Sequence, residues 1–399
     1  MLISIKTARD IIFRHTVSRH VLRVRLKEAF KRVLAQDVLA AQDSPDSDKS
    51  FMDGYVVRCD DVTRVPTTLK IIEQIRAGKI PRRPLKKGTC AQIATGAMVP
   101  KGADAVVIKE RTRLSAKTVV EILRRPSAGD HIYRQGQFFK KGERLLRRGT
   151  VLNSAAIGLL ASQGFSSVKV FGAPRVAILS TGNEITDLGS KKKYGGVWNA
   201  TAPMLSTLLA GLGIAPRYLG LVPDHPDRML KKITEGLKYD ILIITGAVSV
   251  GNFDFVPRVL KDLGAEVLFH KVAIRPGKPL LFGLRGRSLI FGLPGNPVSG
   301  WLDFLLFIKP AIHKILGLDI RGKLQEGLLG KTISHEPDRL SFWPAQVTLQ
   351  GRAFRINPLR YGGSADMGAL AKANALVLLK RHQKTFAKNS RIKFLKITE

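Results

Sequence analysis

The stretch YDILIITGAVSVGNFD, residues 239–254, decides the predicted fold of this chain. Its apolar run at 241–244 continues into Thr245 and Gly246 with no polar residue inside it. An unbroken run of this kind, rich in β-branched residues and bounded by glycine, is typical of a strand buried on both faces of a parallel sheet. Asp254 then stands where a helix would begin, ahead of apolar residues at helical spacing. The stretch therefore predicts a strand, a loop of small residues and a helix.

The loop between this strand and this helix is a candidate anion-binding site. In open α/β sheets, ligands bind in the crevice at the carboxyl ends of the strands. Small residues allow backbone N–H groups to approach an anion, and the helix N-terminus adds partial positive charge. The contacts expected from this loop are Gly246, Ser249 and Gly251. A tight turn followed by a capped helix, without a ligand, is the alternative, because loops of this composition are common.

Two other segments repeat the same pattern. VAILSTGNE at 176–184 and SLIFGLPGNP at 288–297 are apolar strands that end in polar glycine loops. Residues 203–212 and the segments after Asp254 and Pro297 have the composition and spacing of helices. This alternation predicts an open, doubly wound parallel sheet with helices on both faces. Because all three loops follow strand carboxyl ends, we expect them to meet at one edge of the sheet.

Changes in the pattern along the chain predict four domains, so the expected fold class is α/β plus β. Short strands broken by glycine and proline indicate small β domains on both sides of the α/β region. Within the linker domain, helices are expected at 25–34 and at 154–163, the second capped by Asn153 or Ser154. The predicted domains are a helical and mixed linker domain at 1–45 and 131–173, a small β domain inserted near the N-terminus at 46–130, an α/β domain at 174–320 and a C-terminal β domain at 321–399.

Length and composition exclude several classes of protein. With 399 residues, of which 44% are hydrophobic, the chain is long enough for roughly two to four domains with sizeable cores. No uninterrupted apolar stretch reaches the roughly 18 residues that a membrane span needs, and the closest, 288–308, contains PGNP and Asp303. The first residues, MLISIKTARD, lack the apolar region of a signal peptide. Cys59 and Cys90 are too few for a disulfide framework or a cysteine-based zinc site, so a cytoplasmic location is expected.

The net charge is strongly positive, at +35 from 66 Lys and Arg against 31 Asp and Glu. Such an excess indicates an anionic partner, which can be nucleic acid, a membrane surface or a phosphorylated substrate. A solvated basic surface without a specific partner is the alternative. The basic residues are spread along the chain, and no basic motif is interleaved with aromatic residues. Neither a dedicated nucleic-acid partner nor a membrane is therefore expected.

Eight motifs resemble those of the molybdopterin molybdenumtransferase family, known as MoeA in bacteria and as the E domain of gephyrin in animals. They cover about residues 26–379, and the central ones follow the order and spacing of the family. Several are specific, so their common order favours the family over chance. The motifs are EAFKRVLAQDV (28–38), SFMDGYVV (50–57), TGAMVPKGADAVVIKE (95–110), STGNE (180–184), TGAVSVGNFD (245–254), RPGKPLLFG (275–283), GLPGNPVSG (292–300) and GSADMGALAKANAL (363–376).

The resemblance implies an enzyme of molybdenum cofactor biosynthesis. Members of the family take adenylylated molybdopterin and molybdate and yield molybdenum cofactor and AMP, and Mg²⁺ is implied as cofactor. Glycine loops and lysines suit anionic substrates, whereas carboxylates suit a hard divalent ion that prefers oxygen ligands. Carried over position by position, the catalytic carboxylates are Asp53, Glu184, Asp224 and Asp254, with Asp53, Asp224 and Asp254 as metal ligands. The substrate-binding positions are Thr95, Thr181, Gly182, Gly246, Ser249, Gly251, Arg275, Lys278, Pro294, Gly295, Asn296 and Pro297.

The resemblance also implies a homodimer of elongated subunits. The site then joins the sheet edge of one subunit to the small β domain of the other, which bears Asp53 and Thr95. Taken singly, these carboxylates have plainer interpretations, because an aspartate before glycine is a common turn residue and Asp254 has the position of a helix cap. The family pattern is what favours a functional role for them.

The departures from the family pattern cluster at the chemistry. Gln137 and Phe138 stand where the family has two acidic residues. The site is therefore expected to be less acidic than in the family and to bind Mg²⁺ less tightly. A second function class stays open for this reason, a paralogue without catalysis that binds a pterin or a nucleotide as a carrier or scaffold. Further departures are Ala247 for a second glycine, Asn183 for aspartate, Asn199 for aspartate and Thr201 for asparagine.

Overall fold

The computed structural model of the chain describes residues 2–17, 20–192, 194–246, 255–318, 324–335 and 338–397. Up to Phe171, short strands dominate, as the spacing of glycine and proline predicts. The elements of this part are α1 Ile5–His15, β1 Val21–Arg25, β2 Val38–Leu39, β3 Lys49–Ser50, β4 Gly54–Val57, β5 Thr67–Ile75, β6 Thr89–Ile93, β7 Ala105–Ile108, β8 Thr112–Ala116, β9 Val119–Ile122, β10 Ile132–Tyr133, β11 Arg144–Leu146, α2 Ser154–Ser162 and β12 Ser167–Phe171, with 3₁₀ turns at Leu26–Glu28, Cys59–Asp61 and Lys109–Arg111.

The small β domain contains a six-stranded sheet in the order β7-β4-β6-β5-β9-β8. Strands β4 and β6 are antiparallel neighbours, with Gly54 opposite Ile93. Asp53 directly precedes β4, and Thr95 follows two residues after the end of β6. Antiparallel pairing therefore brings these two distant residues to the same end of the sheet.

The segment 25–34 does not form the helix that its apolar spacing predicts. Only a 3₁₀ turn forms at its start, and Leu34 makes a β-bridge with Val170. Ala29 and Leu34 are nevertheless buried, so the pattern correctly predicted burial but not the backbone conformation. Pairing with a strand that returns from beyond the inserted domain overrides the local helical preference here. The second predicted helix does form as α2, and Asn153 caps it.

The elements between Pro174 and Leu318 alternate between strands and helices, as predicted. They are β13 Val176–Thr181, β14 Ile185–Thr186, β15 Val197–Trp198, α3 Thr201–Gly211, β16 Arg217–Val222, α4 Pro226–Gly236, β17 Ile241–Thr245, α5 Phe255–Asp262, β18 Glu266–Phe269, β19 Ile274–Arg275, β20 Leu281–Arg285, β21 Ser288–Leu293, α6 Pro297–Asp303 and α7 Lys309–Ile315, with a π-helical turn at Phe304–Ile308 between the last two.

The α/β domain contains the predicted open parallel sheet, extended at one edge by antiparallel strands. The sheet order is β16-β13-β17-β21-β20-β18, in which the first four strands are parallel and the last two are antiparallel. Every residue of β13, β17 and β21 is buried, as their continuous apolar runs predict. Ser180, Thr245 and Leu293 lie opposite one another in these three strands. The three strands therefore end level with each other.

Helices cover both faces of this sheet. Residues of α3, α6 and α7 pack on one face, where Leu205 and Leu302 join the core. Residues of α4 and α5 pack on the other face, where Met229 and Val256 are buried. Each fully buried side chain of this size contributes roughly 1.5–3 kcal/mol relative to exposure, so the two clusters hold the strand ends firmly in place. Among the described residues, no helix is both long and apolar enough to cross a membrane.

The C-terminal domain is a small closed barrel. Its strands pair in the order β24-β25-β22-β28-β26, and β26 pairs back onto β24 to complete the ring. The short strand β19 of the preceding domain adds in parallel to β24, which ties the barrel to the α/β domain. The elements are β22 Gln325–Leu329, β23 Ile333–Ser334, β24 Leu340–Gln350, β25 Ala353–Pro358, α8 Met367–Lys372, β26 Ala375–Leu379, β27 Thr385–Phe386 and β28 Arg391–Lys396.

Candidate active site

The three glycine loops begin at one edge of the α/β sheet, as predicted. Thr181, at the end of β13, donates from Oγ1 to the carbonyl oxygen of Thr245 at 3.1 Å. The N–H of Gly246 donates to the carbonyl oxygen of Leu293 at 3.0 Å. These hydrogen bonds join the ends of neighbouring strands, so the starts of the three loops have fixed relative positions.

Two glycines at this edge allow a close approach that a side chain would prevent. Gly246 has a φ of 85°, and a Cβ there would lie 2.4 Å from the carbonyl oxygen of Thr181. A Cβ on Gly182 would lie 2.9 Å from a carboxylate oxygen of Glu184, which folds back over it. The N–H groups of both glycines are already bonded to strand carbonyls, so their contribution is space rather than anion-binding donors. The predicted positions Ser249, Gly251 and Asp254, and the departure at Ala247, lie outside the described residues.

The basic loop RPGKP lies beside the PGNP loop. Arg275 and Lys278 are exposed and flank Gly277, whose φ of 98° is readily adopted only by glycine. A Cβ on Gly277 would lie 2.5 Å from Oδ1 of Asp303, so the end of α6 packs directly against this loop. This packing and the pairing of β19 with β24 hold the two basic residues on a defined support.

A cavity of about 760 Å³ lies between these two loops and the C-terminal barrel. Of the predicted positions, Arg275, Lys278, Pro294 and Asn296 line it, and Gly295 and Pro297 adjoin it within the PGNP loop. Its volume falls within the range of small-molecule pockets, roughly 300–1,000 Å³. The cavity is therefore large enough for an organic ligand as well as an oxyanion.

The barrel contributes a wall that the sequence patterns did not predict. His335, Ser341, Trp343, Tyr361 and Ser364 all line the cavity. They come into place because β19 pairs with β24 far along the chain, a contact that local patterning does not reveal. The one usable sequence signal was the motif at 363–376, which contains Ser364 and matched the family without a site role being assigned to it.

The cavity is positively charged on the side of the basic loop. Arg275 lies 4.0 Å from Asp338, which also lies 3.0 Å from Arg339, so this carboxylate offsets part of the positive charge. Burial, and then the charge of Arg275, lower the pKa of His335, so this imidazole is neutral near pH 7. The positive charge therefore comes from Lys278 and the two arginines rather than from histidine.

Asp53 and Thr95 form a hydrogen-bonded pair on the small β domain. The N–H and the hydroxyl of Thr95 donate to Oδ1 of Asp53 at 2.7 and 2.8 Å. The backbone bond first, and then the hydroxyl bond, lower the pKa of this exposed carboxylate, so it is ionised at neutral pH. Neither residue lines the cavity of its own chain.

The described residues contain no group of three or more His, Cys, Asp or Glu side chains placed to hold a metal ion. Asp53 and Asp224 belong to different domains, and Asp254 lies outside the described residues. Oδ2 of Asp53 accepts no hydrogen bond within the described part of the chain, so an ionised oxygen is available to a cation. This oxygen chemistry fits a hard divalent ion.

Three family models match successive parts of the chain. The MoeA N-terminal region (domain I and II) matches residues 3–164, the probable molybdopterin binding domain matches 177–314, and the MoeA C-terminal region (domain IV) matches 326–397. The molybdopterin molybdenumtransferases of Staphylococcus aureus (strain Mu50) and Bacillus subtilis (strain 168) are 33% and 34% identical to the chain. Both alignments cover 94% of this chain, and 91% and 90% of those proteins.

This chain belongs to the molybdopterin molybdenumtransferase (MoeA) family. The crystal structure of a MoeA protein from Pyrococcus horikoshii matches 100% of both chains with a TM-score of 0.87 and 28% identity. A second MoeA structure from that organism covers 99% of this chain and 100% of its own, with a TM-score of 0.81 and 26% identity. The predicted family and fold class are confirmed.

Two departures from the MoeA pattern have structural roles in this chain. The side-chain nitrogen of buried Asn199 lies 2.7 Å from Oδ1 of Asp187 and 3.0 Å from the hydroxyls of Ser180 and Tyr218. A carboxylate therefore remains beside this strand end, although Asn199 itself is neutral. Asn183 accepts a hydrogen bond from the N–H of Asp224 at 3.2 Å and so connects two loops of the edge.

The departure at Phe138 creates an aromatic cluster that MoeA members with an acid at this position lack. The ring centroid of Phe138 lies 5.1 Å from that of Tyr133, which lies 4.7 Å from that of Phe51. Phe51 is two residues before Asp53, so the cluster adjoins the predicted metal ligand along the chain. Gln137 accepts a hydrogen bond from the turn and supplies no negative charge.

Proposed function

We propose that this MoeA family member inserts molybdate into adenylylated molybdopterin and releases AMP, as a transferase of molybdenum cofactor biosynthesis. The observation that carries the proposal is the meeting of the basic RPGKP loop and the PGNP loop in one cavity of about 760 Å³. Both substrates are anionic, since molybdate is an oxyanion and the organic substrate contains a phosphoanhydride. Arg275 and Lys278 place two positive charges where such oxygens can bind.

Four carboxylates organise the metal and the oxyanion in this proposal. Asp53, Asp224 and Asp254 hold a divalent cation, for which Mg²⁺ is the ion that suits phosphoanhydride chemistry. Such an ion, when bound, neutralises negative charge on the leaving phosphate. Glu184, whose carboxylate folds over Gly182 at the sheet edge, orients the substrate from that side.

A homodimer completes the site in this proposal. Asp53 and Thr95 do not line the cavity of their own chain, and the order of their hydrogen bonds already holds Asp53 ionised. We place this pair opposite the sheet edge of a second copy, where it adds the missing negative charge to the basic cavity. The reaction is placed in the cytoplasm, which agrees with two cysteines that are both free thiols.

The carrier or scaffold function is not favoured. The relatives that align with 94% of the chain at 33–34% identity are named molybdopterin molybdenumtransferases. The departures at Asn183 and Asn199 have hydrogen-bonding roles, so they do not by themselves indicate a lost site. Neutral side chains at these positions remain compatible with an ordered strand edge.

An assay of the purified full chain with adenylylated molybdopterin, molybdate and Mg²⁺ tests the proposal. The unmutated protein should release AMP and form molybdenum cofactor, and tungstate in place of molybdate shows which oxyanion is preferred. Asp254→Ala should abolish product formation, whereas Asp262→Ala, at the exposed end of α5, should not. Full activity in Asp254→Ala would sink the assignment of that residue, and no turnover by the unmutated protein would favour the carrier.

A further inference from the structure

We propose that the cavity wall opposite the basic loop is a subsite for a fused nitrogen heterocycle of the organic substrate, an inference that rests on the function proposed above. The ring lies against Trp343 and Tyr361 of the C-terminal barrel, while the oxyanion binds at Arg275 and Lys278. One cavity then holds both substrates side by side.

The size of the cavity is the first argument. At about 760 Å³ it lies in the upper part of the range for pockets that hold whole organic ligands, roughly 300–1,000 Å³. A tetrahedral oxyanion at the basic loop fills only a small fraction of that space. The remaining volume extends toward the barrel, where the lining changes from basic to aromatic.

The arrangement of the aromatic wall is the second argument. Trp343 is flanked by His335 and Tyr361, with ring centroids 5.2 and 5.4 Å away. The indole N–H donates to the carbonyl oxygen of Leu359 at 2.8 Å, which fixes the orientation of this ring. Rigid aromatic faces bind flat ring systems by stacking, without regard to one particular base. The wall is therefore preorganised for a planar ligand.

An unsatisfied hydroxyl group is the third argument. The Oη of Tyr361 is buried and has no hydrogen-bond partner among the described residues. Burial raises the pKa of this phenol to about 12, so it is a neutral donor and acceptor at physiological pH. A buried polar group without a partner costs free energy, which a ligand with a hydrogen-bonding edge can recover. Heterocycles such as pterin and adenine combine such an edge with a flat face.

The charge distribution separates the two subsites. His335 is neutral near pH 7, so the aromatic wall adds no positive charge of its own. Arg339 lies beside this wall, but its guanidinium is paired with Asp338 at 3.0 Å. The oxyanion is therefore directed to Arg275 and Lys278, and the neutral ring system is left to the aromatic side.

Calorimetric titration of the full chain with three separate probes tests this inference: 6-hydroxymethylpterin, adenosine and molybdate. At least one ring compound should bind, and the one that binds identifies which ring of the substrate uses the subsite. Trp343→Leu should weaken ring binding by about 5- to 150-fold, the worth of one stacked base. Tyr361→Phe should weaken it by about 2- to 10-fold through the lost hydroxyl.

Two matched variants make the result specific. Leu349→Ala changes an exposed residue of the same strand as Trp343 and should leave ring binding unchanged. Lys278→Ala should weaken molybdate and spare the ring compound, whereas the two aromatic variants should spare molybdate. If Trp343→Leu fails to fold by circular dichroism, Tyr361→Phe decides, since it removes one oxygen atom only.

The outcomes also separate this subsite from the proposed reaction. Ring binding that the aromatic variants weaken supports the subsite, even if the protein shows no turnover and the proposed reaction is overturned. Neither ring compound binding, or binding that both aromatic variants leave intact, overturns the subsite, even if turnover is normal.

Discussion

The side-chain nitrogen of Asn296 donates a hydrogen bond to Oγ of Ser364 at 2.8 Å. Asn296 belongs to the PGNP loop of the α/β domain, and Ser364 belongs to the C-terminal domain. The N–H of Val298 also donates to the carbonyl oxygen of Ser364, at 3.2 Å. The two bonds close the cavity between the domains, so the geometry around the basic loop depends on a contact that lies far apart in sequence.

Ser364→Ala should raise the KM for molybdate with little change in kcat. The variant removes the acceptor for Asn296, and a neutral hydrogen bond is worth about 0.5–1.5 kcal/mol, or roughly 2- to 10-fold in affinity. Steady-state kinetics with varied molybdate measure the effect. Ser390→Ala is the control, because that hydroxyl bonds within the same domain, to Ala387, and does not line the cavity. An equal rise in KM in both variants would contradict a specific role for the interdomain contact.

Asp338→Asn should strengthen molybdate binding. This carboxylate lies 4.0 Å from Arg275 and 3.0 Å from Arg339, so it competes with the substrate oxyanion for their charges. Exposed ion pairs are worth about 0–1 kcal/mol, so the expected gain is at most about fivefold. Calorimetry at low and high salt measures it, and the gain should shrink at high salt because of screening.

Glu326→Gln is the matched charge control for this prediction. It removes the same charge from an exposed position on β22 that does not line the cavity. If both variants improve affinity equally, net charge rather than the position of Asp338 is responsible.

The parallel sheet and its edge could be predicted from the sequence because they follow from local patterns. The run at 241–244 predicted a strand buried on both faces, and glycine after it predicted the loop. The aromatic wall could not be predicted, because Trp343 reaches the cavity only through the pairing of β24 with β19. The helix predicted at 25–34 was wrong for the same kind of reason, since Leu34 pairs with distant Val170. The domain boundaries and the catalytic roles stay predictions.

Phe138→Asp should strengthen Mg²⁺ binding severalfold, because it adds a carboxylate oxygen beside the aromatic cluster that adjoins Asp53. The ring is 56% exposed, so its loss should cost little stability. Calorimetric titration with Mg²⁺ measures the gain. Phe30→Asp is the control, since that ring is 55% exposed on the linker domain, and its affinity should not change. No gain in Phe138→Asp would count against placing the metal here.

Asp303 is a buried carboxyl group that no other side chain compensates. It is fully buried at the end of α6, and neither of its oxygens has a hydrogen-bond partner among the described residues. Burial raises its pKa well above the ordinary value, so the native state favours the protonated form. Its Oδ1 lies against Gly277 of the basic loop, which makes its protonation state relevant to the cavity as well as to stability.

Asp303→Asn should therefore gain stability relative to the unmutated protein as the pH rises from about 4 to about 7. The unfolded chain ionises Asp303 near pH 4, whereas the native state keeps the proton to a higher pH. Between these two pKa values the native state binds more protons, so its free energy of unfolding falls as the pH rises, by about 1.4 kcal/mol for each unit of pKa difference. The amide keeps the shape and cannot ionise, so it escapes this loss. Urea denaturation followed by tryptophan fluorescence measures the difference at several pH values, with exposed Asp262→Asn as the control. A difference that does not change with pH would show that Asp303 does not titrate between the two states.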